Sequence, residues 1–339
     1  MKRLLVHEYF SGGGCAGRRV PAPLLREGAA MRDALAADLA RLARHRVLVT
    51  VDPRFPLRRR PAGVEEIAIG ARQAGLRRWI RPGDALWLVA PETDGCLERL
   101  AADAEAAGVE LLGPSAWAIR QAANKARLAK RLGRHRLPHP PTRLIASPRE
   151  ALDAAREIGL PAVVKPARGA GCEGVRLART ARELLEALPR ARRLGGASGV
   201  LVQRFVAGTH ASVSLLCHGR RSVALAVNAQ TLDPRFAYRG GVTPLAHPLA
   251  RRATAVARRA CRALPGLKGY VGVDLVLTDS EAVVIEVNPR LTTAYLGVRA
   301  ALDVNVAGLA LAACAGRLPA LPRPRRTVRF SAAGRVAAA

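Results

Sequence analysis

Two apolar runs within the stretch Val271–Arg290 are separated by a polar turn, and they predict a β-hairpin. Asp274 lies in the first run, Glu286 lies in the second, and Asn288 and Arg290 follow at a spacing of two that keeps them on the face of Glu286. Paired strands would bring the two carboxylates together, where like charges repel. A divalent cation removes that repulsion, and carboxylate and amide oxygens suit Mg²⁺ or Mn²⁺ rather than zinc. The sequence therefore predicts a metal site; the alternative is a structural hairpin whose acids face water.

A lysine beside a glycine-rich turn forms a second candidate. Lys165 ends an apolar run, and the turn Arg168–Gly174 that follows contains Gly169, Gly171 and Glu173. A hairpin with a flexible glycine tip beside a lysine suits a lid over phosphates. The P-loop pattern GxxxxGK[ST] is absent, because here the lysine precedes the glycines. The alternative is an ordinary surface hairpin with an exposed lysine.

The third candidate is another glycine-rich segment, which follows the first predicted strand, Leu4–Val6. It reads Glu8-Tyr9-Phe10-Ser11-Gly12-Gly13-Gly14 and does not match GxGxxG, so no dinucleotide fold is predicted. A glycine loop in this position directs backbone N–H groups toward an anion, although a plain tight turn is an equal alternative. Glu8 and Tyr9 at the strand end favour a substrate-facing loop.

The elements that must position these residues alternate between strand and helix in residues 1–113, and this alternation predicts an N-terminal α/β domain with a parallel sheet. A single helix is expected over Ser115–Leu132. We expect two further domains, over residues 114–205 with the lid and 206–318 with the metal site. We expect the Pro- and Arg-rich tail, residues 319–339, to be loosely packed.

Composition limits the class of protein. Half of the 339 residues are apolar, which indicates a globular chain with a large core. The net charge of +29 comes from arginines spread over the whole chain rather than gathered in one stripe, so specific nucleic-acid binding is not expected. The field still favours anionic ligands such as nucleotides and carboxylates.

We also expect neither a membrane span nor a signal peptide, because no apolar run is long enough and His7-Glu8 interrupts the first one. The six cysteines show no metal-ligand spacing, which predicts reduced thiols in a cytoplasmic protein.

Taken together and in this order, the segments between Ser115 and Ala315 resemble the ATP-grasp superfamily. The resemblance implies that residues 114–205 and 206–318 form two α+β subdomains, which hold ATP between antiparallel sheets. It also implies lysines on the phosphates, a hinge strand that reads adenine through its backbone, and Mg²⁺ or Mn²⁺ on the acids. It further implies activation of a carboxylate as an acylphosphate, with Lys165 and Arg290 as catalytic residues. The implied nucleotide-binding residues are Lys125, Lys165, Gly169, Gly171, Glu173, Gln203, Arg204, Phe205, Val206 and His210; the implied metal ligands are Asp274, Glu286 and Asn288.

The opening HEYFSGGG, the segments VNAQ and YRGG, and EVNPRLTTAYLG resemble, more narrowly, ligases of methanofuran-type cofactor biosynthesis. This implies a γ-glutamyl amide formed on tyramine or a tyrosine-like amine, and Arg290 on the acylphosphate or the substrate carboxylate. The implied substrate residues are Glu8, Tyr9, Ser11, Gly12, Gln230, Arg239 and Tyr295.

Two positions depart from the family pattern. Gln203 stands where an acid is frequent, although its side-chain carbonyl can accept a hydrogen bond from the adenine amino group. Many relatives carry an acidic residue soon after the hinge strand that binds the ribose hydroxyls. Here Thr209 or His210 would have to take that role. Relatives are often dimers, so a homodimer is one expectation. The alternatives are a ligase for another amino acid and amine pair, a nucleotide-binding protein without catalysis, and an anion-binding basic protein.

Overall fold

The computed structural model describes residues 2–73, 75–169, 171–320 and 323–339. Ala170 of the predicted lid, Met1 of the predicted first domain and residues 321 and 322 of the predicted tail lie outside the described residues. The described chain contains three sheets in succession, one parallel and two antiparallel, which confirms the predicted mixed α/β class.

The first sheet is parallel, with strand order β3-β2-β1-β4-β5. Its central strands are buried on both faces, as parallel strands covered by helices require; one reads ALWLV and is apolar throughout, and the other reads RLLVHE and is apolar in its middle. The edge strand β3 reads VEEIA and is only partly buried, which explains why its sequence predicted no strand. The strands are β1 (Arg3–Glu8), β2 (Arg46–Val51), β3 (Val64–Ala68), β4 (Ala85–Val89) and β5 (Glu110–Leu111), and the helices are α1 (Ala22–Ala40) and α2 (Cys96–Ala106).

The single helix predicted over Ser115–Leu132 is wrong, because two helices occupy this stretch: α3 (Ala116–Ala123) and α4 (Lys125–Arg134). Asn124 between them is extended, and its side chain accepts hydrogen bonds from the peptide N–H groups of Ala126 and Arg127. This N-cap starts a new helix. As a result, Lys125 is the first residue of α4.

The second sheet is antiparallel, with strand order β6-β9-β7-β8, and the helices α5 and α6 cover one face. Its apolar residues form a core of their own. The elements are β6 (Thr142–Ile145), α5 (Pro148–Ile158), β7 (Ala162–Pro166), β8 (Arg176–Ala178), α6 (Ala181–Gly195) and β9 (Val200–Arg204).

The third sheet is also antiparallel, with strand order β14-β13-β10-β11-β12-β15-β16. The segment predicted as a loop around Tyr238 is instead the strand β12. The elements are β10 (Thr209–His218), β11 (Arg221–Leu232), β12 (Tyr238–Thr243), α7 (Ala250–Arg262), β13 (Lys268–Leu277), β14 (Ala282–Asn288), α8 (Ala294–Leu302), α9 (Val306–Cys314), β15 (Val328–Ser331) and β16 (Val336–Ala338).

The predicted loose tail is wrong for its second half. β15 pairs with β12, and Phe330 opposite Gly241 is buried. The ring of Phe330 lies against Gly297 of α8 so closely that a Cβ on Gly297 would overlap it. Two apolar residues in a basic segment are too few to predict a strand from the sequence, but burial of the Phe330 ring stabilises β15.

The first and third sheets share one hydrophobic core, in which α1 packs against α8 and α9. A buried polar cluster ties the same helices together. Tyr295 of α8 donates its hydroxyl to the Asp38 carboxylate of α1, and the Arg299 Nε donates to the same carboxylate at 2.7 Å. The first sheet is therefore fixed directly against the helices that follow the predicted metal hairpin.

Among the described residues, no single helix is long and apolar enough to cross a membrane; α8 and α9 meet the length and composition requirement only jointly, with a bend of 105° between them. All six cysteines are free thiols, as predicted.

Candidate active site

A cleft with a cavity volume of about 220 Å³ lies between the second and third sheets, and α1 reaches its far end. The cleft brings together every residue predicted to hold nucleotide or metal, the predicted catalytic Arg290 and one predicted substrate residue, Gln230. These residues are Lys125, Lys165, Gly169, Gly171, Glu173, Gln203, Arg204, Phe205, Val206, His210, Gln230, Asp274, Glu286, Asn288 and Arg290.

The two carboxylates face each other across the β13–β14 hairpin. Asp274 is paired in register with Glu286, and a β-bulge follows, because Leu275 already pairs with Val284. The bulge leaves Ile285 without a partner, so both Ile285 and Glu286 line the cleft. The predicted juxtaposition of the two acids is confirmed.

Two amides hold the Asp274 carboxylate. Gln230 Nε2 donates to Asp274 Oδ1 at 2.9 Å, and Asn288 Nδ2 donates to Asp274 Oδ2 at 2.9 Å. Burial and the nearby Glu286 carboxylate raise the pKa of Asp274 to about 7, although both amides oppose that shift. Because burial and the neighbouring carboxylate disfavour its charged form, the Asp274 carboxylate would bind a cation strongly.

Lys125 joins three parts of the cleft. Its Nζ lies 2.9 Å from Glu286 Oε1 and donates to the carbonyl oxygen of Gly169 at 2.9 Å. The base of the glycine-rich turn is also tied to the first sheet's helices, because Arg168 Nη1 donates to Glu98 Oε2 of α2 at 2.8 Å. The turn therefore lines one side of the cleft and is held there by α2 and α4.

Lys165 lies on β7, almost wholly buried, and its Nζ donates to Gln203 Oε1 at 2.7 Å. The Gln203 Nε2 in turn donates to Thr142 Oγ1 at 2.7 Å, which fixes the orientation of the amide. The Gln203 carbonyl that we expected to face an adenine amino group is thus already engaged by Lys165. Burial, reinforced by the charge of Lys125, lowers the pKa of Lys165 to about 8.

Arg290 is held by an acid from the first sheet. Its Nε and Nη2 donate to the two carboxylate oxygens of Glu92 at 2.8 and 2.9 Å, a bidentate pair in which Glu92 is fully buried. Glu92 was not among the predicted site residues. Its position shortly after Val89, the last residue of β4, at the carboxyl end of a parallel strand, is the signal that could have found it.

Most of the predicted substrate residues take other roles. The Glu8 carboxylate accepts hydrogen bonds from the peptide N–H groups of Phe10 and Ser11 and from the Ser11 hydroxyl, so it holds the glycine loop in shape. Gly12 packs against the backbone of Glu8 without space for a side chain. Glu8 still borders a small pocket beside the cleft. Tyr9 does not line the cleft; its ring packs edge to face against Phe10.

Two further predicted substrate residues lie away from the cleft. Tyr295 is buried in the cluster around Asp38, and Arg239 pairs with Asp233 on the surface. Their polar atoms are therefore engaged in contacts with Asp38 and Asp233. The prediction that they line the substrate site is wrong for this structure.

Residues that were not predicted as site residues also line the cleft, and they include Glu27 of α1 and Thr293. Tyr238 of β12 lines it as well, within the YRGG segment that carried the narrower resemblance. Thr293 Oγ1 donates to the Glu27 carboxylate. Burial raises the pKa of Glu27, while the contact with Thr293 and the charge of Arg290 oppose this shift. No pattern in the helix sequence distinguishes Glu27 from a surface acid, because it becomes part of the site only when α1 packs against the third sheet.

Comparison with known proteins agrees with this geometry. A family model described as an ATP-grasp domain matches residues 122–294, and a model described as a pre ATP-grasp 3 domain matches residues 45–119. A structure from Archaeoglobus fulgidus, assigned to the ATP-grasp superfamily, has 26% sequence identity and a TM-score of 0.72, covering 97% of this chain and 92% of that one. An L-amino acid ligase from Bacillus licheniformis shares the fold, with 17% identity, a TM-score of 0.71 and coverage of 97% and 79%.

Curated relatives match over shorter stretches. An uncharacterized protein, y4rH, of Sinorhizobium fredii is 37% identical over 189 residues, which are 53% of this chain and 39% of the relative. A tyramine–L-glutamate ligase of Methanocaldococcus fervens is 39% identical over 99 residues, 29% of this chain and 33% of the relative. The chain therefore spans well under half the length of these relatives. The ATP-grasp model alone covers more than half of the chain, and the protein belongs to the ATP-grasp family.

Proposed function

We propose that the protein is an ATP- and Mg²⁺-dependent carboxylate–amine ligase that activates its carboxylate as an acylphosphate and releases ADP and phosphate. The observation that carries the proposal is the cluster of two buried lysines, Lys125 and Lys165, in one cleft with the paired acids Asp274 and Glu286. Buried charges are costly unless they are paired. The phosphates of a nucleotide would pair with the lysines, and its cation would pair with the carboxylates.

The donor set fits Mg²⁺. Two carboxylates and one amide, from Asp274, Glu286 and Asn288, are too few to enclose the ion, and no group of three or more His, Cys, Asp or Glu side chains that could hold a metal occurs in the described part of the chain. Mg²⁺ commonly binds one or two carboxylates and completes its shell with water and phosphate oxygens. When bound, it would neutralise charge on the phosphoryl group in transfer.

Position in the cleft supports the proposed nucleotide roles. Lys125 and Lys165 would contact phosphates, the turn with Gly169 and Gly171 would cover them, and the segment Gln203–Val206 would lie along the adenine. His210 would reach the ribose. Arg290, oriented by Glu92, would bind the carboxylate or its acylphosphate oxygens through the Nη1 and Nη2 hydrogens that are not donated to Glu92 or to the Leu291 carbonyl.

For the substrates we propose the γ-carboxylate of glutamate and tyramine or a tyrosine-like amine, as in methanofuran-type cofactor biosynthesis. The support is the match over 99 residues to relatives named tyramine–L-glutamate ligase. An ATP-grasp ligase for another amino acid and amine is the alternative within the same chemistry.

The test is phosphate release from ATP with Mg²⁺ and glutamate, with and without tyramine or tyrosine, beside a Glu286→Ala protein. Amine-dependent release that is lost in the variant, together with a γ-glutamyl product by mass spectrometry, is the expected result. Release with glutamate but without preference among amines would retain the ligase chemistry and reject the cofactor pathway. Nucleotide binding without release for any pair of substrates would reject catalysis.

A further inference from the structure

A small pocket opens from the end of the cleft, between the carboxyl ends of β1 and β4 and the helix α1. Its walls are apolar, and the side chains that form them include Phe10, Leu24, Met31, Val89 and Pro91. Glu27, Gly171 and Arg290 border both this pocket and the cleft. A ligand in the pocket would therefore meet the reacting end of the cleft at these three residues.

The charges at this junction favour a cation. Glu92 already takes the Arg290 guanidinium in a bidentate pair, and the Glu8 carboxylate already accepts three hydrogen bonds from its own loop. The Glu27 carboxylate receives a single donor, the hydroxyl of Thr293, from the residues that the structure describes. Glu27 thus keeps acceptor capacity at the opening of an apolar pocket, and the charge of the neighbouring Arg290 is balanced by its pair with Glu92.

We propose that this pocket is the acceptor-amine subsite, in which Glu27 binds the ammonium group and the apolar walls hold an uncharged hydrocarbon or aromatic body. The inference rests on the proposed ligase function and specifies one of its two substrates. It also excludes an amine with its own carboxylate, because a second anion would be buried beside Glu27 and Glu8. The subsite therefore selects a decarboxylated amine such as tyramine over an amino acid such as tyrosine.

The experiment separates carboxylate activation from amine binding. Hydroxylamine reacts with an acylphosphate without needing an amine subsite, so glutamate hydroxamate measures activation, and the γ-glutamyl amide measures use of the amine. In Glu27→Gln we expect hydroxamate formation within about threefold of wild type, and a KM for tyramine raised on the order of 10- to 100-fold, because one partner of a buried charge pair is lost. Wild type should prefer tyramine over tyrosine in kcat/KM by at least about tenfold.

Two variants serve as comparisons. Glu66→Gln removes the charge of a partly buried acid in the first sheet. The Glu66 carboxylate accepts a hydrogen bond from the Leu57 N–H, away from the cleft, so this variant should leave both measurements unchanged. Phe10→Ala removes part of the apolar wall and should raise the KM for tyramine by about fivefold while leaving that for methylamine unchanged.

The outcomes are distinct. Wild-type protein that forms no glutamate hydroxamate overturns the proposed function, and the subsite with it. Hydroxamate formation with an unchanged tyramine KM in Glu27→Gln, or equal use of tyrosine and tyramine, overturns the subsite alone. Titration calorimetry with tyramine gives a check that needs no turnover, since Glu27→Gln should weaken binding by a similar factor.

Discussion

The two sides of the cleft are built differently. On the side of the second and third sheets, the polar residues of the site lie mainly on strands and meet partners from a neighbouring strand or from α4, as Asn288 meets Asp274 and Glu286 meets Lys125. On the side of the first sheet, the polar residues of the glycine loop bond to one another. Glu27 of α1 lines the cleft, and Glu92, beyond the end of β4, acts on it by holding Arg290.

The difference shows which kinds of element reveal a site in advance. Alternation along a strand fixes the face on which each side chain lies, so a charged residue in an apolar strand already implies its neighbours. A loop can turn its polar groups inward to satisfy its own backbone, as Glu8 does. Residue type alone therefore predicts less there.

The largest expected effect lies on the strand side. Glu286→Ala should lower the ligase rate on the order of 10³-fold, because it removes a proposed metal ligand and leaves Lys125 without its partner. The rate of ADP formation measures this, and circular dichroism establishes that the variant is folded. Residual activity within about tenfold of wild type would contradict the assignment of the metal to this hairpin.

The next effect crosses between the two sides. Glu92→Gln should lower kcat/KM on the order of 10- to 100-fold, since the Arg290 guanidinium loses the bidentate anion that orients it. Steady-state kinetics with varied glutamate gives the measurement, and Glu66→Gln is the matched control. If Glu92→Gln behaved like that control, the first sheet would play no part in placing Arg290.

Lys165 gives a prediction about pH. Its pKa is near 8 in the folded protein, against the ordinary 10.5 expected when unfolded, through burial and the charge of Lys125, with Glu286 and Cys172 opposing. The unfolded state binds more protons between these values, so the cost of the buried charge is complete below pH 8 and declines as the pH rises.

Wild type should therefore gain about 1–2 kcal/mol in free energy of unfolding relative to Lys165→Met between pH 7.5 and 9.5. Urea denaturation of both proteins at each pH measures the difference. Parallel pH profiles for the two proteins would show that Lys165 titrates normally.

The smallest effect on activity is expected in the glycine loop. Ser11→Ala should change kcat/KM by no more than about twofold, while the free energy of unfolding falls by about 1 kcal/mol because Glu8 loses one buried donor. Kinetics and chemical denaturation test both parts. A large rise in the KM for either substrate would restore the loop as a substrate-binding segment.

The sequence predicted the strand-borne half of the site well. The spacing of Asp274, Glu286 and Asn288 implied a hairpin, and the hairpin fixed their register. It could not predict the bulge that turns Ile285 toward the cleft, or Glu27, whose place depends on how α1 packs against α8 and α9. The placement of Glu27 arises from contacts between segments more than 200 residues apart, such as its contact with Thr293, and local patterns do not record it.

The last two strands of the chain also determine how a shortened protein would behave. β15 covers the edge of β12, and the short β16 then ends the sheet. A protein trimmed after α9 would present the unpaired peptide groups of β12 together with the gap left by Phe330 beside Gly297. An open, partly apolar edge is a template for pairing with another chain. Such a shortened protein would be expected to self-associate, so these residues protect solubility as well as the fold.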